Sequence, residues 1–164
     1  MRTDDDGQLL GSDDEVGPPM KPQVREAGLE DLDLLMAWRM ETLEHVFAMP
    51  ESKMPAGLRG ANEQYYKTAL ADGSHIACFA QLDGETVGCG GVCFQMEMPS
   101  PDNPSGRCAY LMNIYTREQY RGRGVGAATD RYLIGRPGSA ASPKFTWKVP
   151  RTGSPCTGAS VLCR

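Results

Sequence analysis

The sequence of 164 residues lacks any apolar run long enough to span a membrane, and it contains no CxxC pair. Its N-terminus is acidic, without the basic and then apolar order of a secretory signal. We therefore expect no membrane partner and a cytoplasmic location. Because the six cysteines are scattered and have no histidine spaced beside them, we expect free thiols and no metal site, with a zinc or disulfide framework as the alternative.

Acidic residues are almost absent from the C-terminal part of the sequence. Residues 117–164 contain only two of them, Glu118 and Asp130, whereas the first fifteen residues are strongly acidic. The net charge of the whole chain is −4, and no platform of aromatic residues accompanies the C-terminal arginines. This balance excludes a nucleic-acid surface across the whole chain, but it leaves room for a local anion site. We therefore expect no nucleic-acid partner.

Composition divides the chain into three segments. Residues 1–19 are rich in glycine, proline and aspartate and have almost nothing to bury, so they are expected to be a disordered acidic leader. Residues 20–134 have the patterning of a domain, and Met20 reads as its natural start. Residues 135–164 show neither helical nor alternating periodicity and are expected to be irregular.

The spacing of apolar residues within residues 20–134 predicts the order β-α-α-β-β-β-α, which is an α+β (mixed α/β) fold. An Asp83-Gly84 turn between two apolar runs predicts a hairpin, because glycine supplies the positive φ that such a turn requires. The predicted elements are, in chain order, strand "PQVREA", helix 29–47, a helix from Leu58 that Gly73 closes, strands "HIACFAQL", "TVGCGGVCF" and "RCAYLMNIYT", and a helix from Arg117 to about Ile134.

Three glycines and two arginines follow the last of these strands. Gly122, Gly124 and Gly126 let successive backbone N–H groups point into one concavity. A helix N-terminus and the charges of Arg121 and Arg123 would favour an anion there. The alternative is a strand-to-helix connection with glycines for tight packing. Two nucleotide loops are excluded, because the spacing is GxGxG rather than GxGxxG and no Gly-Lys-Ser/Thr sequence is present.

The six residues 121–126, RGRGVG, match the pattern R/Q-x-x-G-x-G/A. In this respect the chain resembles the GNAT superfamily of N-acetyltransferases, whose acetyl-coenzyme A loop has that pattern. The preceding "YLMNIYT" is similar to the family's central strand, and the following "AATDRYLI" is similar to the first turns of its next helix. The resemblance covers about Pro22 to Ile134 and includes the upstream β-α-α-β-β order.

The resemblance implies a set of coenzyme contacts and a reaction. Backbone amides of residues 123–127, with Arg121, would hold the pyrophosphate of acetyl-coenzyme A, the cosubstrate, and the pantetheine arm would pair with the strand edge. An amine substrate would attack the acetyl carbonyl directly, assisted by a general base and a general acid. The residues implied in coenzyme binding are Ile114, Tyr115, Thr116, Arg121, Gly122, Arg123, Gly124, Val125, Gly126 and Ala127.

The catalytic residues are unknown at this point. Glu97 and Asn113 are candidates to orient the amine or its water, with a solvated loop residue and a strand partner as the alternative interpretations. His45 and His75 are expected to serve in the core or at the surface rather than in chemistry. Met36, Trp38 and Met40 are expected to pack the helix rather than to bind a cofactor.

The segment after Ile134 does not continue the resemblance. The family places another strand, another helix and closing strands there, with a tyrosine that protonates the leaving thiolate, whereas residues 135–164 contain no tyrosine. Read one base earlier, the codons of residues 144–148 permit a strand typical of the family, and those of residues 155–162 permit its tyrosine segment. Our hypothesis is a frameshifted tail, with the later strands and helix missing or disordered and activity weak or absent.

Three functions stay open. The first is an N-acetyltransferase that acts on a primary amine of an unidentified small molecule or peptide. The second is an inactive, truncated coenzyme A-binding remnant of such an enzyme. The third is an unrelated phosphate- or RNA-binding module built on the arginines, which the acidic net charge disfavours. The sequence also leaves a homodimer open.

Overall fold

The computed structural model describes residues 21–135 and 146–148, and at its centre is one five-stranded sheet. The strands lie in chain order; neighbours among the first four are antiparallel, and the fifth is parallel to the fourth. The strands are β1 (Gln23–Ala27), β2 (His75–Leu82), β3 (Glu85–Met96), β4 (Arg107–Thr116) and β5 (Thr146–Lys148). The helices are α1 (Leu32–Phe47), α2 (Leu58–Ala71) and α3 (Val125–Ile134). The predicted α+β order up to Ile134 is confirmed.

The turn between β2 and β3 is the predicted hairpin. Asp83 and Gly84 both have positive φ, 53° and 80°, as a two-residue hairpin turn requires. After the turn, β3 extends through Gln95 and Met96, two residues beyond the predicted strand, which ends at Phe94. The strand continues because these residues pair with the beginning of β4. The local sequence of β3 does not predict this pairing, because the partner residues lie elsewhere in the chain.

Different helices cover the two faces of the sheet, and β2 contributes buried side chains to both faces. Ala77 and Phe79 are buried in a cluster with α1 and α2, whereas Cys78 and Ala80, which alternate with them, are buried toward α3. Successive side chains of a strand point to opposite faces, so a doubly covered strand needs a continuous apolar run. The core therefore consists of two apolar layers separated by the sheet.

Helix α1 supplies much of one layer. Met36, Trp38 and Met40 are at most 4 % exposed and belong to the cluster on the sheet, which confirms their predicted role in packing. A 3-10 turn over Leu29–Asp31 precedes the helix, so the predicted start at residue 29 is this turn rather than the α-helix. In the described ranges, no helix has the length and apolarity needed to cross a bilayer.

The start of α3 corrects the sequence prediction. The helix begins at Val125, and the expectation of helix from Arg117 onward is wrong for the segment between them. Gly122 and Gly124 have φ of 77° and 79°, which a right-handed helix of L-residues does not contain. A 3-10 turn over Glu118–Tyr120 and then the glycine turn therefore connect β4 to α3.

Strand β5 is the described part of the segment after Ile134, for which the sequence predicted irregular structure. Its three residues pair in parallel with residues 108–110 of β4. An unpaired strand edge offers backbone N–H and C=O groups, so a short extended segment gains hydrogen bonds by adding to it. Residues 1–20, 136–145 and 149–164 lie outside the described residues, so the leader, the irregular tail and the frameshift stay predictions.

Gly90, in the middle of β3, lets α3 pack directly against the sheet. A Cβ atom at this position would lie 2.5 Å from Cγ2 of Thr129, 2.8 Å from Cδ1 of Ile114 and 3.2 Å from Cδ1 of Leu133. Thr129 and Leu133 are almost completely buried and cannot move aside freely. We expect Gly90→Ala to lower the free energy of unfolding by about 1–3 kcal/mol, measured by urea denaturation, because overpacking forces the helix away from the sheet.

Gly60→Ala is the matched control for this substitution. Gly60 lies within α2, and a Cβ atom there would meet no atom within 4 Å. Alanine should raise the free energy of unfolding by about 1 kcal/mol or less, through helix propensity alone. If Gly90→Ala proves as stable as the parent chain, the close approach of α3 to β3 is wrong.

Candidate active site

β4 contains a β-bulge near its carboxyl end. Residues 89 and 91 of β3 pair with residues 115 and 112 of β4, so Gly90 alone faces two residues, Asn113 and Ile114. Asn113 has φ 57°, and asparagine is one of the few residues that adopt this left-handed conformation at low cost. Bulges bend a strand and re-aim its side chains. The bulge therefore places Asn113 where β4 departs from regular pairing.

Beyond the bulge, one edge of β4 has no neighbouring strand among residues 21–135 and 146–148. β3 pairs with the other edge as far as Thr116, whereas β5 pairs only with residues 108–110. Ile114, Tyr115 and Thr116, for which the resemblance implies pantetheine contacts, lie along this stretch. A chain with amide groups has room to add to β4 here as an extra strand.

The glycine turn follows, and its backbone is arranged to receive an anion. Gly122 and Gly124 are exposed, with positive φ, and α3 begins directly after them. The N–H of Ala128 donates to the carbonyl oxygen of Gly124 at 2.9 Å, as in the first turn of a helix. The N–H groups of residues 125–127 therefore have no acceptor within the helix, and they lie at the positive end of its dipole.

The two arginines of the turn make different contacts. Arg121 donates from Nε to the carbonyl oxygen of Thr116 at 3.3 Å, and its Nη2 lies 3.0 Å from Nε2 of His45. Arg123 is exposed, with its guanidinium 5.6 Å from the centre of the Tyr120 ring. Neither guanidinium pairs with a carboxylate of the described residues, so both charges are available to an anion at the turn.

An ion pair joins α1 to the segment after β4. Arg117 donates from Nε and Nη2 to the two carboxylate oxygens of Glu41, each at 2.9 Å, and its guanidinium lies 4.4 Å from the centre of the Trp38 ring. Both charged side chains are about a third exposed, so we expect a contribution of about 1 kcal/mol or less to stability. The ion pair connects α1 to the residue that follows β4, at the start of the segment that leads to the glycine turn.

A cavity of about 270 Å³ lies beside the bulge, on the face of the sheet that α1 and α2 cover. Its walls come from four elements, namely α1, α2, β2 and β4. The cavity is close to the lower end of the volumes of ligand-binding pockets, which begin at about 300 Å³. The lining residues are Arg39, Ala61, Asn62, Tyr65, Tyr66, His75, Met112 and Asn113.

Arg39 is the one residue of this lining whose side chain is always charged. Its Nε donates to Oδ1 of Asn62 at 2.8 Å, and its Nη1 donates to Oδ1 of Asn113 at 2.9 Å. These bonds connect α1, α2 and the bulge of β4. A guanidinium has five N–H groups, so donors remain for a ligand in the cavity.

His75 opens β2 and is buried at the cavity wall, only 3 % exposed. Burial lowers the pKa of His75 to about 4, and the nearby charge of Arg39 acts in the same direction. The hydroxyl of Tyr65 lies 3.1 Å from Nδ1 of His75, and burial raises the pKa of Tyr65 to about 12. Both side chains are therefore uncharged at neutral pH.

The structure brings Asn113 and the glycine turn to the same end of β4, but it separates Glu97 from them. Glu97 follows the end of β3 at Met96, which pairs with Arg107. Arg107 and Asn113 are six residues apart on β4, which is about 20 Å along a strand. Glu97 and Asn113 therefore do not contact the same small acceptor.

The cavity residues of α1 and α2 were not predicted from the sequence. Arg39 had a recognisable signal, because it stands between two buried residues, Trp38 and Met40, where a charge is costly unless it is hydrogen-bonded. Asn62 and Tyr65 had none, because polar residues on a helix are ordinary surface residues. Only the packing of α1 and α2 on the sheet brings them together.

The sheet with its bulged fourth strand, the glycine turn and α3 define an acetyltransferase-type α+β domain. The model of the acetyltransferase (GNAT) family matches residues 33–135. The chain belongs to this family, which confirms the resemblance found in the sequence. By resemblance to its members, the chain is an N-acetyltransferase.

Solved structures with a similar fold include three acetyltransferases. One is described as a predicted acetyltransferase with acetyl-CoA from Clostridium acetobutylicum, at 19% identity and a TM-score of 0.66, covering 87% of this chain and 96% of that one. A GCN5-related N-acetyltransferase from Ralstonia eutropha JMP134 has 21% identity and a TM-score of 0.57, covering 70% and 74%. An aminoglycoside acetyltransferase from an uncultured soil metagenomic sample has 17% identity and a TM-score of 0.55, covering 83% of both chains. At these identities the similarity shows the fold. No curated protein matches the sequence.

Proposed function

We propose that the protein transfers the acetyl group of acetyl-coenzyme A to a primary amine of a small molecule or peptide, by direct attack of the amine. One observation carries the proposal: the glycine turn at the N-terminus of α3 follows a bulged strand. Among the described residues, this strand has an unpaired edge beyond the bulge, and a cavity lies beside it. The Clostridium acetobutylicum neighbour, described with acetyl-CoA, supports the choice of coenzyme.

The backbone of the turn fits a pyrophosphate group. Among the described residues, no atom lies within 4 Å of a Cβ atom built at Gly122 or Gly124, so neighbouring side chains do not crowd either glycine. Arg121 and Arg123 add positive charge beside the helix N-terminus. Acetyl-coenzyme A would supply an activated acetyl thioester when bound. We assign to its binding Ile114, Tyr115, Thr116, Arg121, Gly122, Arg123, Gly124, Val125, Gly126 and Ala127.

The cavity residues favour the reactive form of an amine. Only a neutral amine attacks a carbonyl, and the lining of the cavity contains no carboxylate that would stabilise an ammonium ion. With a pKa of about 4, His75 stays neutral at pH 7 and adds no second positive charge to the cavity. The proton of the amine passes to the solvent. In the reaction a bond forms between nitrogen and the carbonyl carbon, the carbon–sulfur bond breaks, and the thiolate takes a proton from solvent.

Two measurements test this function. Titration calorimetry with coenzyme A is expected to show saturable binding to one site, because the turn supplies backbone donors and charge. A thioester-cleavage assay with a broad panel of primary amines is expected to show thiol release that depends on the amine. Binding without turnover would favour the inactive remnant over the enzyme. Absence of coenzyme A binding would contradict both and favour a different anion at the turn.

We expect turnover to be weak in this chain. Residues 135–164 contain no tyrosine to protonate the leaving thiolate, and β5 covers only a short part of the β4 edge. Rapid turnover with any amine of the panel would show that this expectation is wrong. The frameshift hypothesis has an independent test, since stop codons in the earlier reading frame of the coding DNA would rule it out.

A further inference from the structure

The cavity beside the bulge contains a positive charge that nearby side chains do not neutralise. Arg39 is partly buried, and its hydrogen-bond partners are the neutral amides of Asn62 and Asn113. Within residues 21–135, the ion pairs use other cations, and no carboxylate lies within ion-pair distance of Arg39. A partly buried guanidinium with donors to spare favours a carboxylate or another planar anion.

The lining of the cavity contains no carboxylate. His75 and Tyr65 are neutral, as described above, and burial also raises the pKa of Tyr66. The carboxylates of α2 and of its C-terminus are engaged elsewhere: Glu63 pairs with a lysine of the same helix, and exposed Asp72 accepts the N–H of Ser74. A polycationic acceptor would therefore meet a like charge without a counter-ion in the cavity lining.

We propose that this cavity is the acceptor site and that Arg39 selects small primary amines that carry a carboxylate, such as a free amino acid or a very short peptide. The inference rests on the proposed acetyl transfer and names its substrate class. A cavity of about 270 Å³ has room for a small molecule of this kind, but it does not enclose a multi-ring amino sugar.

The position of Arg39 also sets the distance between the carboxylate and the amine. Its Nη1 is hydrogen-bonded to Asn113, the bulge residue of the strand at which we place the coenzyme. A carboxylate bound to the remaining N–H groups of Arg39 leaves an amine only a few bonds away close to the bulge. The geometry thus favours amines close to their carboxylate over amines at the end of a long chain.

A matched ligand series tests the selection. Leucine, leucinamide and 3-methylbutylamine share one side chain and differ only in the group that Arg39 would bind, and leucyl-leucine and spermidine extend the series to a peptide and a polyamine. Binding is measured by ligand-detected NMR, with and without saturating coenzyme A. We expect leucine or the dipeptide to bind at least about 10-fold more tightly than leucinamide and spermidine, as charge-assisted hydrogen bonds allow.

Variants of Arg39 test whether this residue is responsible for the preference for a carboxylate. Arg39→Gln is expected to remove the preference for the carboxylate while coenzyme A still binds, and Arg39→Lys is expected to retain part of it. Arg59→Gln is the matched control, because Arg59 lies on the same two-helix layer but pairs with Glu51 outside the cavity. A preference that survives in Arg39→Gln assigns the carboxylate to another residue and overturns the proposal.

The failure of this inference is distinguishable from the failure of the proposed function. If coenzyme A binds and leucinamide or spermidine binds as tightly as leucine, the acetyl transfer stands and the selection by Arg39 is wrong. If no member of the series binds, the cavity is not the acceptor site for this class. If coenzyme A does not bind but leucine still binds through Arg39, the cavity assignment stands and the acetyl transfer fails.

Discussion

Lowering the pH from 7 to 4 is expected to destabilise the protein by about 3 kcal/mol through His75 alone. Burial, and secondarily the charge of Arg39, hold the pKa of His75 at about 4 in the folded protein, against 6.5 for an unperturbed histidine. Each unit of difference corresponds to about 1.4 kcal/mol. Because the folded state resists protonation, the unfolded state binds more protons between these two pKa values, and stability rises with pH in that window.

The direction of the pH dependence of stability determines the pH range of the experiment. Stability from this group is fully present above pH 6.5, and it is lost progressively as the pH falls to 4. Urea denaturation at several pH values between 7 and 4 measures the slope. His75→Gln is expected to flatten it. A parent chain that keeps the same free energy of unfolding at pH 4.5 and pH 7 would show that His75 is not held neutral by burial.

Replacing Gly122 and Gly124 together with alanine is expected to weaken coenzyme A binding by about 30- to 1,000-fold. Each glycine has a φ near 80° in the structure, which costs an L-residue about 1–2 kcal/mol. With two such costs, the turn relaxes to negative φ, and the backbone N–H groups no longer point into one concavity. Titration calorimetry with coenzyme A measures the loss, which corresponds to about 2–4 kcal/mol.

Gly126→Ala is the matched control for the double variant. Gly126 lies within α3, has no positive φ, and a Cβ atom there would meet nothing within 4 Å. Its position in the R/Q-x-x-G-x-G/A pattern also accepts alanine. We expect it to bind coenzyme A nearly as well as the parent chain. Unchanged binding by the double variant would contradict the role of the turn conformation, and a matching loss in Gly126→Ala would indicate a steric effect instead.

Features that depend on neighbouring residues were predicted well from the sequence. The hairpin at Asp83 and Gly84 was predicted because its conformation depends on the residues of the turn itself. The glycine turn was also predicted, although the helix after it was placed too early, because the sequence does not state which glycines adopt positive φ. The strand β5 was missed because its pairing depends on a free edge of β4, far away in the sequence.

The bulge was beyond sequence reasoning for a similar reason. It arises where Gly90 faces two residues of β4, and this register is a property of the pair of strands rather than of either one. Asn113 was singled out as a candidate, but its left-handed conformation and its bond to Arg39 became visible only with the sheet assembled.

By itself, the sequence determined the element order up to Ile134, the family and the position of the glycine turn, because apolar periodicity and glycine spacing act over a few residues. Only the tertiary structure determined that there is a cavity and which residues line it. Arg39 lies 23 residues from Asn62 and 74 residues from Asn113, its two hydrogen-bond partners. Their meeting requires α1 and α2 to pack on one face of the sheet beside the bulge. The charge of one residue on α1 thereby becomes the feature from which we infer the acceptor class.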